Sequence, residues 1–299
     1  MTVSNTLGEY LRARRELVDP QDVGLRVAGV RRTPGLRREE VATLAGISAD
    51  YYLRLEQGRD RHPSAAVLTA LARVFGLDET ATGYLLSLAA DRPARARRTR
   101  ERPETVPAGI RQLLAAVGLP AFVESRRFDV LAANRLATAL EPSIRAGENR
   151  LRSLFLDPAE RELYPDWPKV ITGMVASFRA SIGTDTDDPR TVQLVGELSL
   201  ASEEFRKIWG RHDVRALAGR AAVMNHPEAG RLALRREKLP VGDTDGQLLV
   251  IYHAEPGSAS AAALARLAAG AQAASDRQAG SDRQAASGRP PGSTGVVTG

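Results

Sequence analysis

Along residues 6–90 apolar positions recur every three or four residues in short blocks, each bounded by a capping or turn residue. That pattern predicts five short helices around one core. Thr6 opens the first, which runs to about Val18 with Leu7, Tyr10, Leu11 and, near its end, Leu17 turned inward. Residues 19–35 form a long connection that ends in the turn signal Thr33-Pro34-Gly35. From Leu36 the spacing of Glu40, Val41 and Leu44 is helical, with Val41 and Leu44 inward and small Ala42 and Ala45 admitting a close neighbour. Gly46 supplies a left-handed turn without steric cost. Ile47 fills the angle, and Ser48 caps a third helix in which Tyr52 and Leu55 face the core. Ser64 caps a fourth, with a stripe of Val67, Leu68, Leu71, Ala72 and Phe75 stopped by Gly76. Asp78 caps a fifth, with Tyr84, Leu85 and Leu88 inward.

The pattern then changes. Residues 91–107 hold Pro93, Pro103 and Pro107 among arginines and read as a basic linker. A short helix (Ile110, Leu113, Leu114, Val117) precedes two apolar stretches, Ala121–Glu124 and Phe128–Ala132, joined by a turn at Ser125-Arg126-Arg127. Asn134–Leu140 reads as helix. Trp167–Ile182 is strongly periodic, with Trp167, Val170, Ile171, Met174, Val175, Phe178 and Ile182 on one face. Val192–Leu200 and Ser202–Trp209 are further helices; the alternation at Leu232 and Leu234 and the run Leu248–Tyr252 predict antiparallel strands. The fold class expected is α+β, with an all-α domain over 1–90, the linker 91–107, an α+β domain over 108–256 and a tail over 257–299. Ser258–Leu267 suits a helix. Beyond about residue 270 little apolar surface remains to offset ordering entropy, so a disordered tail is expected.

Composition narrows the function. At 299 residues, 43% hydrophobic and 26% charged, the chain suits a globular protein of two domains. No apolar run approaches the roughly 18 residues needed to cross a bilayer, and no secretory signal is visible. With no cysteine, disulfides, thiol catalysis and thiolate metal sites are excluded, and a cytoplasmic location is expected. A net charge of +6 suits a polyanionic partner. Lys169, Lys207 and Lys238 are the only lysines, a compositional skew that makes arginine count weak evidence; arginine position is better. Arg26, Arg31, Arg32, Arg37 and Arg38 precede Glu39, and Arg92, Arg95, Arg97, Arg98, Arg100 and Arg102 crowd the linker.

Two short helices joined by a tight turn over residues 36–58 form the layout that sets one helix into the DNA major groove. Arg37 and Arg38 before it, and Arg59 and Arg61 after it, are the expected phosphate contacts, aided by N–H groups at the second helix's start. Ser48, Ala49, Asp50, Tyr51 and Arg54 stand at the DNA-facing start and outer face of the third helix. Arg54 can grip guanine O6 and N7, worth about 1–3 kcal/mol of discrimination. Asp50, one turn earlier, either holds that guanidinium or accepts from a cytosine amino group. A solvated surface pair is the plain alternative. The segment resembles the helix-turn-helix of Xre-type regulators, which close the recognition helix with a run like Leu55-Glu56-Gln57-Gly58-Arg59. Arg37 departs from that pattern, in which Ser or Thr caps the second helix.

The second half also carries ordered motifs. They include Leu154-Phe155-Leu156-Asp157-Pro158, Arg161-Glu162-Leu163-Tyr164-Pro165-Asp166-Trp167, Leu194-Val195-Gly196-Glu197-Leu198, Trp209-Gly210-Arg211-His212-Asp213-Val214, His226-Pro227 and Ala254-Glu255-Pro256-Gly257-Ser258. With Arg32-Thr33-Pro34-Gly35-Leu36, these resemble the MmyB-type regulators. The resemblance implies a PAS-like C-terminal domain that accepts a small, largely apolar ligand such as a fatty acid. It matches less well over Ala218–Asn225. Trp167, Met174, Phe178 and Trp209 are candidates to line the pocket, although such a stripe is more often plain core. His212 and His226 can meet a carboxylate head group or satisfy backbone carbonyls. His62, His212, His226 and His253 lack metal-ligand spacing, so neither metal nor cofactor is expected.

No phosphate-binding loop, zinc-protease motif, nucleophile elbow or dinucleotide fingerprint occurs, so an enzyme is not expected. The expectation is a one-component regulator that binds a double-stranded, two-fold operator as a homodimer, with no membrane role. A regulator acting mainly through a protein partner, without a small-molecule ligand, is the alternative.

Overall fold

In the computed structural model the described residues are 6–26, 31, 33–60, 62–90, 104–215 and 220–287. The arginine-rich stretch 92–102, Arg32 and Arg61 lie outside them. The N-terminal region contains the five expected helices: α1 (Thr6–Leu17), α2 (Arg38–Ala45), α3 (Ala49–Glu56), α4 (Ala65–Val74) and α5 (Glu79–Ala89). Tyr10, Leu11, Leu36, Val41, Tyr52, Leu55, Leu71 and Leu85 form its solvent-free core. The caps work by the expected chemistry: Ser48, Ser64 and Asp78 each accept a hydrogen bond from the N–H three residues on.

Two residues expected inside lie outside. Leu44 is 39% exposed and Leu17 is exposed as well. The buried face of α2 is carried by Val41, Ala42 and Ala45. At 3.6 residues per turn, Leu44 sits about 100° round from the middle of that face. Leu17 ends α1, and the turn Thr33-Pro34-Gly35 docks further back, where the Leu36 N–H donates to the Arg15 carbonyl at 3.0 Å. Gly35 has φ of 66°, and a Cβ there would sit 2.2 Å from that same carbonyl oxygen. No side chain fits this approach. Within the long connection, Pro20–Val23 forms a 3-10 turn capped by Asp19.

The second domain is a five-stranded antiparallel sheet in the order β2-β1-β5-β4-β3. Its strands are β1 (Ala121–Glu124), β2 (Val130–Ala133), β3 (Arg220–His226), β4 (Gly230–Pro240) and β5 (Leu248–His253). α6 (Ala108–Ala116) precedes the sheet. Between β2 and β3 run α7 (Arg135–Leu140), α8 (Arg150–Leu156), α9 (Pro158–Leu163), α10 (Trp167–Ile182), α11 (Pro189–Ala201) and α12 (Glu203–Gly210). This is a PAS-like arrangement: an antiparallel sheet with its helices inserted between the second and third strands. Alternation sends Phe122, Leu232, Leu234, Val250 and Tyr252 into the main core under these helices. Ala121, Val123 and Leu249 face the other way, against Leu114 of α6.

α10 has the bounds read from its periodicity. β2, in contrast, begins at Val130, because Phe128 adopts a φ of 65° in the turn and drops its ring into the core against Phe178. α8 and α9 carried too few periodic positions to be expected, yet Asn149 and Asp157 cap them and Pro158 begins α9. Helix α13 (Ala259–Ser287) continues well past the point where disorder is expected. Alanine needs no tertiary partner to favour a helix, since it loses no side-chain entropy there. Residues 288–299 lie outside the description.

Candidate DNA interface and ligand cavity

α3 presents its chemistry on the face turned away from Tyr52 and Leu55. Ser48 accepts from the Tyr51 N–H at 3.1 Å and so fixes the start of the helix. Ala49 and Asp50 are exposed. Arg54 Nη1 donates to Asp50 Oδ2 at 2.6 Å, with the two side chains 47% and 70% exposed, so the pair is formed in water rather than buried. The Arg54 guanidinium also lies 5.8 Å from the Tyr51 ring centre. Tyr51 is half-buried against the core, and that burial, then the Asp60 carboxylate, push its hydroxyl pKa up. It stays a neutral donor. The structure thus gathers Ser48, Ala49, Asp50, Tyr51 and Arg54 at one end and face of a single helix.

The four arginines expected at phosphates divide. Arg37 and Arg59 are exposed. Arg37 occupies the cap position of α2 and donates its backbone N–H to Glu40 at 2.7 Å. Arg38 is exposed too, with 45% of its side chain accessible, but its Nε is engaged, donating to Glu56 at 2.6 Å. Arg61 lies outside the described residues.

Glu56 does more than end the third helix. It is buried at the end of α3 and also accepts from Arg15 Nε at 2.7 Å, while Arg15 Nη1 donates to the Leu36 carbonyl at 3.0 Å. Burial alone would raise the Glu56 pKa; the Arg15 and Arg38 hydrogen bonds outweigh it and hold the carboxyl below its ordinary value. One carboxylate therefore ties α1, α2 and α3 together. The signal was the Glu in Leu55-Glu56-Gln57-Gly58, read as a helix ending.

In the second domain a cavity of about 200 Å³ opens between α10 and the β3–β4–β5 side of the sheet. Val170, Met174, Ala222 and Val223 give it apolar walls, while Lys169 and Arg236 bring two positive charges against the one carboxylate of Asp166, and Tyr164 and Tyr252 bring phenolic rings. Behind those tyrosines, Arg150 pairs with buried Glu141 at 2.9 Å. Glu160, also buried, is pushed up to about 7 by burial and by Glu141.

Of the six side chains considered for a ligand, Met174 lines this cavity. Trp167 is buried in the core at the start of α10. Phe178 is buried between Phe128 and Trp209, and Trp209 stacks on Phe205 with centroids 5.8 Å apart. His226 accepts from the Glu228 and Ala229 N–H groups through Nδ1 and faces the Ala139 carbonyl at 2.9 Å through Nε2. Both ring nitrogens are thus used by backbone. His212 sits between the two domains, edge-on to Tyr10. Cavity residues Tyr164, Lys169, Arg236 and Tyr252 escaped sequence reading because the space between elements leaves no periodic mark.

Known families match both regions. The chain matches a helix-turn-helix domain over residues 6–83 and an MmyB-like transcription regulator ligand binding domain over residues 106–267. It belongs to the MmyB-like transcription regulators. No curated protein matches the chain. This MmyB-like regulator is accordingly a DNA-binding transcriptional regulator, built from two regulatory modules. Among its described residues no helix is long and apolar enough to cross a membrane.

Proposed function

We propose that this regulator reads a two-fold operator as a homodimer through α3, and that a small amphiphile in the second domain modulates that binding. The reading of sequence is carried by one observation, the Asp50–Arg54 pair held at 2.6 Å on the open face of a capped helix. A guanidinium already oriented by a carboxylate loses less freedom when it grips a guanine edge. Arg37 and Arg59 flank it and add phosphate contacts that give affinity without selectivity.

The proposed ligand follows from the cavity. Apolar walls with Lys169 and Arg236 suit a short, slim apolar chain ending in an acid, that is, a fatty-acid-like molecule. Drug-sized ligands occupy roughly 300–1,000 Å³, so a cavity near 200 Å³ favours a smaller guest.

Footprinting of the promoter beside its own gene supplies the operator. Arg54→Ala is expected to weaken operator binding by about 1–3 kcal/mol while leaving random duplex nearly unaffected. Equal loss on both DNAs at matched salt defeats the base-reading role. For the ligand, melting of the full chain across an acyl-length panel is expected to show a maximum shift at short to medium length. A flat panel removes the lipid and leaves a regulator that works through protein partners.

A further inference from the structure

The two domains meet at the turn after α12, in the motif Arg211-His212-Asp213-Val214. Val214 is buried inside the N-terminal core, though it belongs to the other half of the chain. Asp213 accepts from Arg14 of α1 at 2.6 Å, with both side chains largely shielded. His212, at φ of 55°, turns its ring edge-on to Tyr10, which in turn packs on Tyr84 of α5.

Beneath this turn lies Arg179 of α10. Its buried guanidinium stacks 3.7 Å from the Trp209 ring centre, donates to the Trp209 carbonyl at 2.5 Å and meets His212 Nδ1 at 3.2 Å. Burial, with Arg179 and Arg14 nearby, pushes the His212 pKa down to about 3, so its neutral ring accepts from Arg179. Next to Arg179, Ala180 packs on the N-terminal core, and about one turn earlier the Ala176 carbonyl accepts from the Arg215 N–H at 3.3 Å. The side-chain contacts that cross to the N-terminal domain reach Arg14 and Tyr10 of α1 and, from Arg179, Tyr84 of α5. The outer face of α3 stays open.

We propose that the Trp209–Val214 turn and Arg179 form a clamp that sets the orientation of the reading head, with α10 as the lever that moves it. The same helix that lines the cavity with Val170, Gly173, Met174 and Ser177 carries Arg179 only five residues beyond Met174, about 8 Å along its axis. A guest that displaces α10 therefore reaches α1 and α5 through a rigid element. Because the clamp grips α1, which packs on α3, and none of these contacts touches Ser48, Ala49, Asp50 or Arg54, it re-aims the reading helix without masking it. Such a shift matters most where two reading heads must match two half-sites. The inference rests on the proposed function in taking the cavity as the input.

The test needs no ligand. In the full chain, Gly173→Leu pushes a side chain into the cavity, since nothing lies within 4 Å of a Cβ at Gly173. Gly173→Ala controls for the gain in helix propensity. Hydrogen exchange of α1 and α5 is expected to change several-fold with leucine but not with alanine, and to stop responding once Asp213→Asn opens the clamp. Arg14→Asp alone should speed exchange in the same two helices, while β4 and β5 keep their protection and report that the second domain remains folded. Unchanged α1 and α5 exchange in Arg14→Asp, or a leucine response that survives Asp213→Asn, overturns the clamp. A decanoate titration of the parent chain is read separately: if it fails to bind while Gly173→Leu still transmits, the ligand assignment falls and the clamp stands.

Discussion

The reading head and the second domain solve opposite problems with buried charge. In the head, Glu56 collects Arg15 and Arg38 at 2.7 and 2.6 Å, and its pKa is held down. In the second domain, Glu160 lies buried near Glu141 and its pKa is raised to about 7. The first carboxylate is strongest as an anion. The second is favoured as an acid. A buried charge with good partners locks elements together, whereas one facing a like charge makes the fold sensitive to protons. The head is thus built to keep one shape, and the cavity domain has a group near its guest site whose state changes close to neutrality.

The sharpest way to break this contrast is Glu56→Ala. It leaves Arg15 buried without its carboxylate, a loss of roughly 3–5 kcal/mol, against a typical total stability of about 5–15 kcal/mol. Operator binding should fall with the folded fraction of residues 6–90, while exchange protection in β4 and β5 stays as in the parent. In the parent, the folded pKa of Glu56 lies below the unfolded value, so its contribution is complete above the ordinary 4.5 and is lost as pH falls through the lowered value. Acid melts should therefore strike the head, and a head no more acid-sensitive than its Glu56→Gln variant contradicts this account.

The next effect has the opposite sign. Glu160 holds its proton more tightly when folded, so its contribution to stability is complete below the ordinary 4.5. Between 4.5 and about 7 the unfolded chain ionises first, and the second domain loses stability as pH rises. Glu141, Arg150, Tyr164 and Ser143 are the groups that surround it. Glu160→Gln should flatten the dependence of melting temperature on pH from 5 to 8. A variant with the parent's slope assigns that slope to another group.

The same contrast explains what was legible in the sequence. In the head, the function sits on one helix, so caps at Ser48, Ser64 and Asp78, the turn at Gly46 and the outer-face residues all follow from spacing within a few residues. Leu44 escaped because a two-turn helix gives too short a stripe to fix its face. The cavity combines α10, β3, β4 and β5, and its wall residues meet only through the fold. Periodicity found α10 but could not say which of its residues border empty space, and it could not tell that His212 serves the domain junction. Glu56 was hidden for a related reason: its partners Arg15 and Arg38 lie on two other helices.

A smaller change tests local structure alone. Ser48→Ala removes the hydroxyl that accepts from Tyr51 and should cost about 1 kcal/mol. Urea unfolding of the head is expected to shift by that amount while its slope stays constant. A shift far larger than this would mean that Ser48 does more than cap α3.

The smallest effect lies at the tie between α8 and α11. Arg152 donates from Nε and Nη2 to the two oxygens of Glu197, both at 2.7 Å, but the side chains are 41% and 36% exposed. Good geometry argues for a bond; water and mobile ions argue against a large one. The hydrogen bonds from Arg152 hold the Glu197 carboxyl below its usual range, yet its exposure confines the benefit to roughly 0.2–1 kcal/mol. Arg152→Ala should therefore lower stability by less than about 1 kcal/mol at low salt. The difference should vanish near 1 M salt, where the screening length shrinks to about 3 Å. A loss that persists in high salt would show that the arginine stem packs α8 against α11 and that charge is incidental to the tie.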